Sequence, residues 1–300
     1  MARIAELAIL PAWKDVWVCS DPMGHLQATG IDAAGRKQYL YHQRWRERRD
    51  QQKFDEMLDF ARALPRLRRT VGEDLERGGS ELSREAVLAC AVRLLDRGMF
   101  RIGGEDYAEE NASYGLATLH RSHLTLADGE ATFAYRAKGG VEREQSIIDP
   151  AILPVLTRLR RRRSADPELL AYKEGRRWRD VRSDDVNAYV KEAARGDFSA
   201  KDFRTWHATV LAALALAAHE PPPSSETASK RAINDAVKGV AGYLGNTPAV
   251  CRRSYIDPRV IDRFRDGETI SASARRAGAD PLNDRSRRSL ELAVIRLIED

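Results

Sequence analysis

Cysteine is scarce in this sequence, and long hydrophobic runs are absent. The three cysteines, Cys19, Cys90 and Cys251, lie far apart and form no Cys-x-x-Cys pair. This pattern excludes a disulfide framework and favours a reducing compartment. The longest apolar run, residues 208–218, is shorter than the ~20 residues that a membrane-spanning helix needs. We therefore expect a soluble, cytoplasmic protein without membrane contact.

Several catalytic motifs are also missing. The sequence has no Gly-x-x-x-x-Gly-Lys-Ser/Thr loop, which argues against a P-loop ATPase. It has no His-Glu-x-x-His motif and no cluster of histidine and cysteine, which argues against a zinc site. Its acidic residues show no spacing typical of a two-metal nuclease. We therefore expect no metal and no cofactor.

Lysine is the rare residue among the cations. Nine of the fifty are lysine and forty-one are arginine, and the net charge is +5 with an isoelectric point near 9.1. A guanidinium can bind phosphate through two parallel hydrogen bonds, which an ammonium cannot do. The arginine runs therefore indicate a nucleic-acid partner, although a solvated helix face is an equal alternative for any single run. These runs are residues 44–49, 66–69, 158–163 and 176–179.

The first of about two predicted domains covers residues 1–78. It begins with a β-meander, in which three segments rich in strand formers are separated by turns at residues 21–24 and 32–35. Apolar residues then follow helical spacing over residues 43–64. Pro65 predicts the start of a second, short helix that ends with the domain. We expect this domain to be small and β-rich.

The second domain, residues 79–300, is predicted to be mainly helical. Ser83 is a typical N-cap for a helix that Gly98 ends. Three short strands follow, joined by an Asp-Gly turn and a Lys-Gly-Gly turn, which predicts a three-stranded antiparallel sheet. The segment 200–219 is apolar almost all round, so we expect a buried central helix and an α+β fold class. Further helices are predicted near residues 105–110, 150–163, 183–195, 230–244, 248–256, 258–265 and 284–299.

The stretch from Gly245 to Tyr255 combines a helix stop, a helix start and a tyrosine. Gly245 is typical of a helix C-terminus, Thr247 of an N-cap and Pro248 of a first helical position. Helical spacing then places Tyr255 on the same stripe as Arg252. A free phenol has a pKa of about 10, so a tyrosine nucleophile needs cationic neighbours. The alternative is a half-buried tyrosine beside solvated arginines.

Three further cations occupy positions suited to an anion. Arg204 lies about one turn into the predicted central helix, near its positive end. Arg101 precedes two glycines, which let an anion approach the backbone closely. Lys138 lies at a glycine-rich hairpin turn that can deliver an ammonium group into a groove. The structural alternatives are a salt-bridged helix arginine, an exposed loop arginine and a solvated turn lysine.

These residues occur in the order of a known catalytic set. Arg101, Lys138, Arg204, Asn246 and Tyr255 resemble the arginine, hairpin lysine, arginine, histidine or asparagine, and tyrosine of the type IB DNA topoisomerases, in particular their poxvirus-like bacterial branch. Several short segments are similar to the family's motifs, so the resemblance covers nearly the whole chain. These segments are residues 11–17, 24–30, 100–103, 111–119, 201–206 and 245–248.

The resemblance implies a mechanism. Tyr255 attacks a backbone phosphate and forms a 3′-phosphotyrosyl link, Arg101, Arg204 and Asn246 hold the non-bridging oxygens, and Lys138 protonates the departing 5′-oxygen. Poxvirus and eukaryotic relatives carry histidine where this chain has Asn246, whose amide can donate a hydrogen bond but cannot act as an acid.

The family also implies a partner and a location. Its members relax supercoiled double-stranded DNA without ATP or metal. We expect a monomer that clamps the duplex with residues 1–78 and the catalytic domain, in the cytoplasm and nucleoid of a bacterium.

Two other functions stay open from the sequence. Tyrosine site-specific recombinases use a similar set of residues, but they usually carry histidine three residues before the second arginine, where this chain has Lys201. Their N-terminal domain is usually helical, whereas this one is predicted to be β-rich. A non-catalytic, arginine-rich DNA-binding protein is the other alternative, and it predicts no covalent adduct with DNA.

Overall fold

The computed structural model describes residues 2–78, 81–105, 108, 112–219, 225–277 and 284–300. The chain forms two compact units, Met1–Glu56 and Met57–Asp300. This division falls earlier than the expected boundary after residue 78, because it lies inside a long helix whose second half belongs to the larger unit. The α+β class is confirmed: a small three-stranded unit is followed by a mainly helical one.

The N-terminal unit is built on three strands. After α1 (Ala2–Glu6), strands β1 (Lys14–Val18), β2 (Leu26–Ile31) and β3 (Lys37–Tyr41) pair antiparallel in that order, which confirms the predicted meander. The Asp32 carboxylate accepts hydrogen bonds from the backbone nitrogens of Arg36 and Ala34, each at 2.9 Å. The bonds from Arg36 above all lower the pKa of Asp32 to about 2. The β2–β3 turn is thus fixed by its own side chain.

Helix α2 runs without interruption over Gln43–Gly78, so the predicted break at Pro65 is wrong. A proline inside a helix costs roughly 3 kcal/mol, because it lacks an N–H group and crowds the preceding turn. Burial of a large apolar side chain contributes roughly 1.5–3 kcal/mol, and such side chains continue at helical spacing on both sides of the proline. The buried residues are Phe54, Met57, Leu58, Phe60, Ala61, Leu64, Leu67, Val71 and Leu75.

Helix α3 (Arg84–Gly98) is buried on most of its surface. Ser83 caps it as predicted, because its Oγ accepts a hydrogen bond from the nitrogen of Ala86 at 3.2 Å. The end differs from the prediction, since Met99 and not Gly98 takes the left-handed conformation, with a φ of 52°. Gly98 instead leaves room for a phenyl ring: an added Cβ would lie 2.4 Å from the ring of Phe100.

The predicted three-stranded sheet follows α3. Strands β4 (Leu124–Ala127), β5 (Glu130–Ala137) and β6 (Val141–Ile147) pair antiparallel in sequence order. The β5–β6 turn carries Lys138, and its two glycines have φ values of 86° and 75°. The sheet therefore presents the lysine at the tip of a hairpin. Next come α4 (Leu153–Arg161), a hairpin that was not predicted, β7 (Ala171–Glu174) and β8 (Arg177–Asp180), and α5 (Ser183–Ala194).

The remaining described chain is helical. Helix α6 (Ala200–Ala217) is buried on most sides, as predicted. It is followed by α7 (Glu226–Leu244), α8 (Pro248–Ser254), α9 (Pro258–Arg265), α10 (Ser271–Ala277), which was not predicted, and α11 (Asp284–Glu299). The predicted helix over 105–110 falls mostly outside the described residues. Within the ranges given above, no helix has the length and apolar character needed to cross a bilayer.

An ion network of five residues, Arg68, Asp96, His207, Arg287 and Glu291, ties α11 to α2, α3 and α6. Asp96 is 3% exposed and receives hydrogen bonds from both arginines at 2.8–3.1 Å. Arg68 also binds Glu291 through two bonds of 2.7 Å, and Nε2 of His207 lies 3.1 Å from Oδ1 of Asp96. Burial alone raises the pKa of Asp96, but Arg287 and Arg68 hold it well below its usual range. The network is therefore a buried cluster whose charges largely neutralise one another.

Candidate active site

The site is built on the end of α7. Gly245 takes the left-handed conformation, with a φ of 65°, and the nitrogen of Asn246 donates to the carbonyl of Ala241 at 2.9 Å. The side chain of Thr247 then caps α8, which begins at Pro248. The predicted helix stop, N-cap and helix start are all confirmed. Asn246 therefore lies at the centre of a three-residue connection, residues 245–247, between two fixed helix ends.

Tyr255 lies one residue beyond α8, so the prediction of a helix reaching residue 256 is wrong. Its nitrogen still donates to the carbonyl of Cys251 at 2.9 Å, but its φ of −131° is no longer helical. Thr209 of α6 is fully buried, and its Oγ1 donates to the carbonyl of Tyr255 at 3.2 Å and accepts from the nitrogen of Asp257 at 3.1 Å. These two bonds end α8 and tie the tyrosine backbone to the central helix.

Arg204 is only 4% exposed and contacts the tyrosine ring. Its guanidinium carbon lies 5.2 Å from the centroid of the Tyr255 ring. Its Nη1 donates to the carbonyl of Met99 at 2.5 Å, and its Nη2 donates to that of Leu244 at 3.0 Å. Burial, followed by the charge of Arg101, lowers the pKa of Arg204 to about 10. The hydrogen-bond acceptors of this buried cation are therefore backbone carbonyls. A salt-bridged helix arginine, the alternative that the sequence left open, would have a carboxylate in their place.

Arg101 reaches the same helix end from the loop after α3. Its Nη2 donates to the carbonyl of Gly245 at 2.8 Å and also to Oδ1 of Asn246. The loop is held by close backbone packing, because a Cβ on Gly103 would lie 2.9 Å from the Cα of Gly115. This packing explains the glycine at position 103, because any side chain there would collide with Gly115.

The structure brings the five predicted residues together. Arg101, Lys138, Arg204 and Tyr255 line one cavity of about 410 Å³. Lys138 is exposed at the hairpin tip, and Asn246 joins the group through its bond to Arg101. The Nδ2 of Asn246 is buried and meets no hydrogen-bond acceptor among the described residues. A buried donor without a partner costs roughly 1–3 kcal/mol, so Nδ2 is suited to a ligand that supplies an acceptor.

The charged side chains that line this cavity are cations, whereas metal ions in proteins bind carboxylate, imidazole and thiolate groups. Within the described ranges, no group of three or more histidine, cysteine, aspartate or glutamate side chains is placed to hold a metal ion. The polar side chains that line the cavity are four cations, one hydroxyl and two phenols: Arg101, Lys138, Lys201, Arg204, Ser113, Tyr114 and Tyr255. Such a set can bind a phosphate and stabilise negative charge that develops on its oxygens.

Two residues near the site were not predicted. Arg143 of β6 donates from Nη2 to the carbonyl of Tyr243 at 2.6 Å, and Thr209 holds the backbone of Tyr255 as described above. A polar residue inside the apolar run 208–218 is a signal that could have identified Thr209. Arg143 is one of forty-one arginines, and nothing in its sequence surroundings distinguishes it.

Comparison with known proteins identifies the family. The family model described as "Eukaryotic DNA topoisomerase I, catalytic core" matches residues 42–275, and the one described as "Bacterial DNA topoisomerase IB, N-terminal domain" matches residues 1–32. DNA topoisomerase 1B of Acanthamoeba polyphaga mimivirus is 29% identical over 271 residues, which are 88% of this chain and 80% of that protein. DNA topoisomerase I of monkeypox virus and DNA topoisomerase 1B of vaccinia virus (strain Copenhagen) are each 20% identical over 263 residues, 87% of this chain and 79% of theirs. Because the catalytic-core match alone spans more than half of the sequence, the chain belongs to the type IB DNA topoisomerase family.

Proposed function

We propose that this protein relaxes supercoiled duplex DNA by cutting one strand transiently, through a covalent 3′-phosphotyrosyl intermediate on Tyr255. The observation that carries the proposal is the cavity that gathers the phenol, the hairpin lysine and the guanidinium groups of Arg101 and Arg204. Those guanidinium groups bind carbonyl oxygens, which offset their charge only in part. A phosphate can take the remaining donors through charge-assisted hydrogen bonds.

The cleavage step breaks one bond and forms another at phosphorus. The phenolic oxygen of Tyr255 attacks in line with the 5′-oxygen, the new phosphorus–oxygen bond forms, and the bond to the 5′-oxygen breaks. The phenolic proton passes to solvent, and Lys138 gives a proton to the departing 5′-oxygen. The two site arginines and Nδ2 of Asn246 hold the non-bridging oxygens and stabilise their charge in the transition state.

Rejoining reverses the same chemistry. The broken strand rotates about its partner, and the 5′-hydroxyl then attacks the phosphotyrosyl bond and releases Tyr255. One phosphate ester is exchanged for another in each direction, so the bond energy is conserved in the covalent adduct and ATP is not consumed. Guanidinium groups supply the positive charge that a metal ion supplies in other phosphoryl-transfer sites, which is why we expect activity without a metal.

The DNA contact extends, in this proposal, to the N-terminal residues 1–78. Trp17 and Tyr39 of the small sheet are about half exposed, at 50% and 49%, and Lys37 lies 5.8 Å from the centre of the Tyr39 ring. Exposed aromatic and cationic side chains of this kind suit a nucleic-acid surface. We expect the N-terminal and catalytic domains of a single monomer to clamp the duplex, on the nucleoid in the bacterial cytoplasm.

A plasmid assay tests the proposal directly. Supercoiled plasmid incubated with the purified protein and EDTA, without ATP, should relax through a ladder of topoisomers. Failure of a folded protein to relax the plasmid under these conditions contradicts the proposal. A product that joins two separate cognate DNA sites, with no relaxation, supports the recombinase alternative instead.

The covalent intermediate needs its own test. DNA labelled at either end and trapped by denaturation should remain attached to protein through its 3′ side. Tyr255→Phe should remove this band completely, because phenylalanine has no oxygen to form the ester. Tyr243→Phe is the matched control, since Tyr243 is a nearby tyrosine that is 54% exposed and outside the cavity lined by Tyr255. An adduct that survives Tyr255→Phe, or that forms through the 5′ end, contradicts the proposed mechanism.

A further inference from the structure

The C-terminal end of α7 receives three arginine side chains from three different segments. Arg143 of β6 donates to the carbonyl of Tyr243 at 2.6 Å, Arg204 of α6 to that of Leu244 at 3.0 Å, and Arg101 to that of Gly245 at 2.8 Å. We call these three arginines the arginine cap. The last carbonyls of a helix have no partner within the helix and carry partial negative charge, so they attract cations. The proposed mechanism uses Arg101 and Arg204 but leaves Arg143 without a role.

Arg143 is fixed tightly against the turn that follows α7. Its guanidinium occupies space that only a glycine leaves open, because a Cβ on Gly245 would lie 2.3 Å from Nη1 of Arg143. On the sheet, Arg143 pairs directly opposite Tyr135 of β5. Burial, with a contribution from the neighbouring charge of Arg101, lowers the pKa of this half-buried arginine. The side chain is therefore held between the sheet and the helix end.

This contact lies directly beside Asn246. Asn246 directly follows the glycine on which Arg143 packs, and its Oδ1 accepts a hydrogen bond from Arg101. The opposite side of the same amide, Nδ2, is the buried donor without an acceptor in the described chain. A small rotation of the Gly245–Asn246 turn would change the direction in which that donor points. Both guanidinium groups lie against the turn, because a Cβ on Gly245 would be within 4 Å of Nη1 of Arg143 and Nη1 of Arg101.

We propose that Arg143 is a positioning residue for strand cleavage, which binds the end of α7 and packs on Gly245 so that Nδ2 of Asn246 is directed at the scissile phosphate. This inference rests on the proposed function, because it assumes that the cavity receives a DNA phosphate. Arg143 acts through Asn246 and need not touch the substrate itself.

A double-mutant cycle tests the inference. Arg143→Ala should slow single-turnover cleavage of a DNA duplex by about 10- to 100-fold. Displacement of a reacting or stabilising group by about 1 Å slows a reaction by a factor of this size. In an Asn246→Ala background, Arg143→Ala should slow cleavage by less than about twofold. The residue that Arg143 positions is then already absent, so the free-energy costs of the two substitutions do not add. Non-covalent DNA affinity, measured by filter binding with Tyr255→Phe as the background, should change far less than the rate.

Arg136→Ala is the matched control. Arg136 lies on the same β5–β6 hairpin, and its guanidinium packs near Gly140 at the hairpin tip and not at the end of α7. Arg136→Ala removes the same charge from the hairpin as Arg143→Ala does. Because Arg136 does not pack at the end of α7, its effect on cleavage should be independent of Asn246, and the fold-changes of Arg136→Ala and Asn246→Ala should multiply in the double variant. If Arg143→Ala fails to fold, Arg143→Gln keeps one amide donor for the Tyr243 carbonyl and should give a rate between those of the wild type and Arg143→Ala in the folded state.

Three results distinguish failure of the proposed function from failure of the positioning role of Arg143. A wild-type protein that forms no covalent adduct contradicts the proposed function itself. A wild-type protein that cleaves, with folded Arg143 variants that cleave equally fast, contradicts only the positioning role. The positioning role is also contradicted if the fold-losses of Arg143→Ala and Asn246→Ala multiply in the double variant. Independent losses would mean that Arg143 does not act through Asn246.

Discussion

Two clusters of arginine contact α6, and their charges are balanced in different ways. In the ion network, Arg68 and Arg287 surround two buried carboxylates, those of Asp96 and Glu291. In the arginine cap, the guanidinium groups bind the carbonyl oxygens at the end of α7. A carboxylate cancels a full charge, whereas the end of a helix offers about half a charge. The first cluster is complete within the protein, and the second retains positive charge for an anion.

The two clusters are connected through the same helices. Asp96 lies in the last turn of α3, and Arg101 lies in the loop that follows it. Arg204 and His207 are three positions apart on α6, so both belong to one face of the helix. A complete ion network can therefore act as the rigid support on which the incompletely neutralised site is held. Changes in the arginine cap should therefore affect activity more than stability, and changes in the ion network should affect stability more than activity.

The largest expected effect is on catalysis and comes from Arg204→Ala. Loss of a cation that stabilises a transferring phosphoryl group should reduce single-turnover DNA cleavage by about 10³-fold or more. The free energy of unfolding should fall less than for a change within the ion network, because removing a buried and incompletely neutralised cation also removes its desolvation cost. Cleavage rates and urea unfolding of the same variant measure both quantities. A variant that loses stability but keeps its cleavage rate contradicts the distinction between the clusters.

The next effect is on stability and comes from Asp96→Asn. The change leaves Arg68 and Arg287 buried without their shared carboxylate, which should lower the free energy of unfolding by about 3–5 kcal/mol. Asp59→Asn is the matched control, because it removes the same charge from an exposed pair with Arg62 and should cost at most about 1 kcal/mol. Urea denaturation of both variants checks the prediction, and equal losses of stability contradict it.

A pair of glycines on α7 tests whether the geometry of the cap matters. Gly245→Ala should destabilise the protein by roughly 1–2 kcal/mol, because a left-handed φ strains any side chain and the added Cβ meets Arg143. Gly242→Ala lies in the helix with open space around the added Cβ, so it should stabilise by roughly 0.5–1 kcal/mol. Thermal unfolding compares the two, and cleavage should slow only in Gly245→Ala. If both variants behave alike, the close contact of Arg143 with Gly245 has no energetic consequence.

The sequence predicted local features better than long-range ones. The stop at Gly245, the caps at Ser83 and Thr247, and the strand segments were correct, because short-range hydrogen bonding and backbone geometry determine them. The break predicted at Pro65 was wrong, because tertiary burial of the helix face outweighs the local penalty. The end of α8 is another long-range effect, since the bonds of Thr209 come from a distant helix.

The candidate site was only partly accessible to sequence reasoning. The five residues could be named because their order and spacing resemble a known family. The contacts of Arg101 and Arg204 with the end of α7 could not be predicted, because these bring together residues that are up to 145 positions apart. Arg143 illustrates the limit: one arginine among forty-one makes its contact only where a strand and a helix end meet.

The smallest expected effect is a pH dependence that belongs to the ion network and not to the cap. Burial lowers the pKa of His207, and Arg287 adds to this, although the hydrogen bond to Asp96 opposes it. The other charged groups of the network around it are Arg68 and Glu291. A histidine whose pKa is lower in the folded state contributes stability above its unfolded pKa of 6.5, and this contribution is lost as the pH falls.

The free energy of unfolding should therefore decrease as the pH is lowered from about 8 to about 5, and His207→Gln should make that decrease smaller. Glutamine places an amide near the position of Nε2 and does not titrate, so the variant separates protonation from the loss of a hydrogen bond. Urea unfolding across this pH range measures the slope for both proteins. The aspartate of the network keeps its charge throughout, because its pKa lies well below the range. An unchanged slope in His207→Gln means that other groups set the pH dependence and that the buried histidine is equally protonated in the folded and unfolded states.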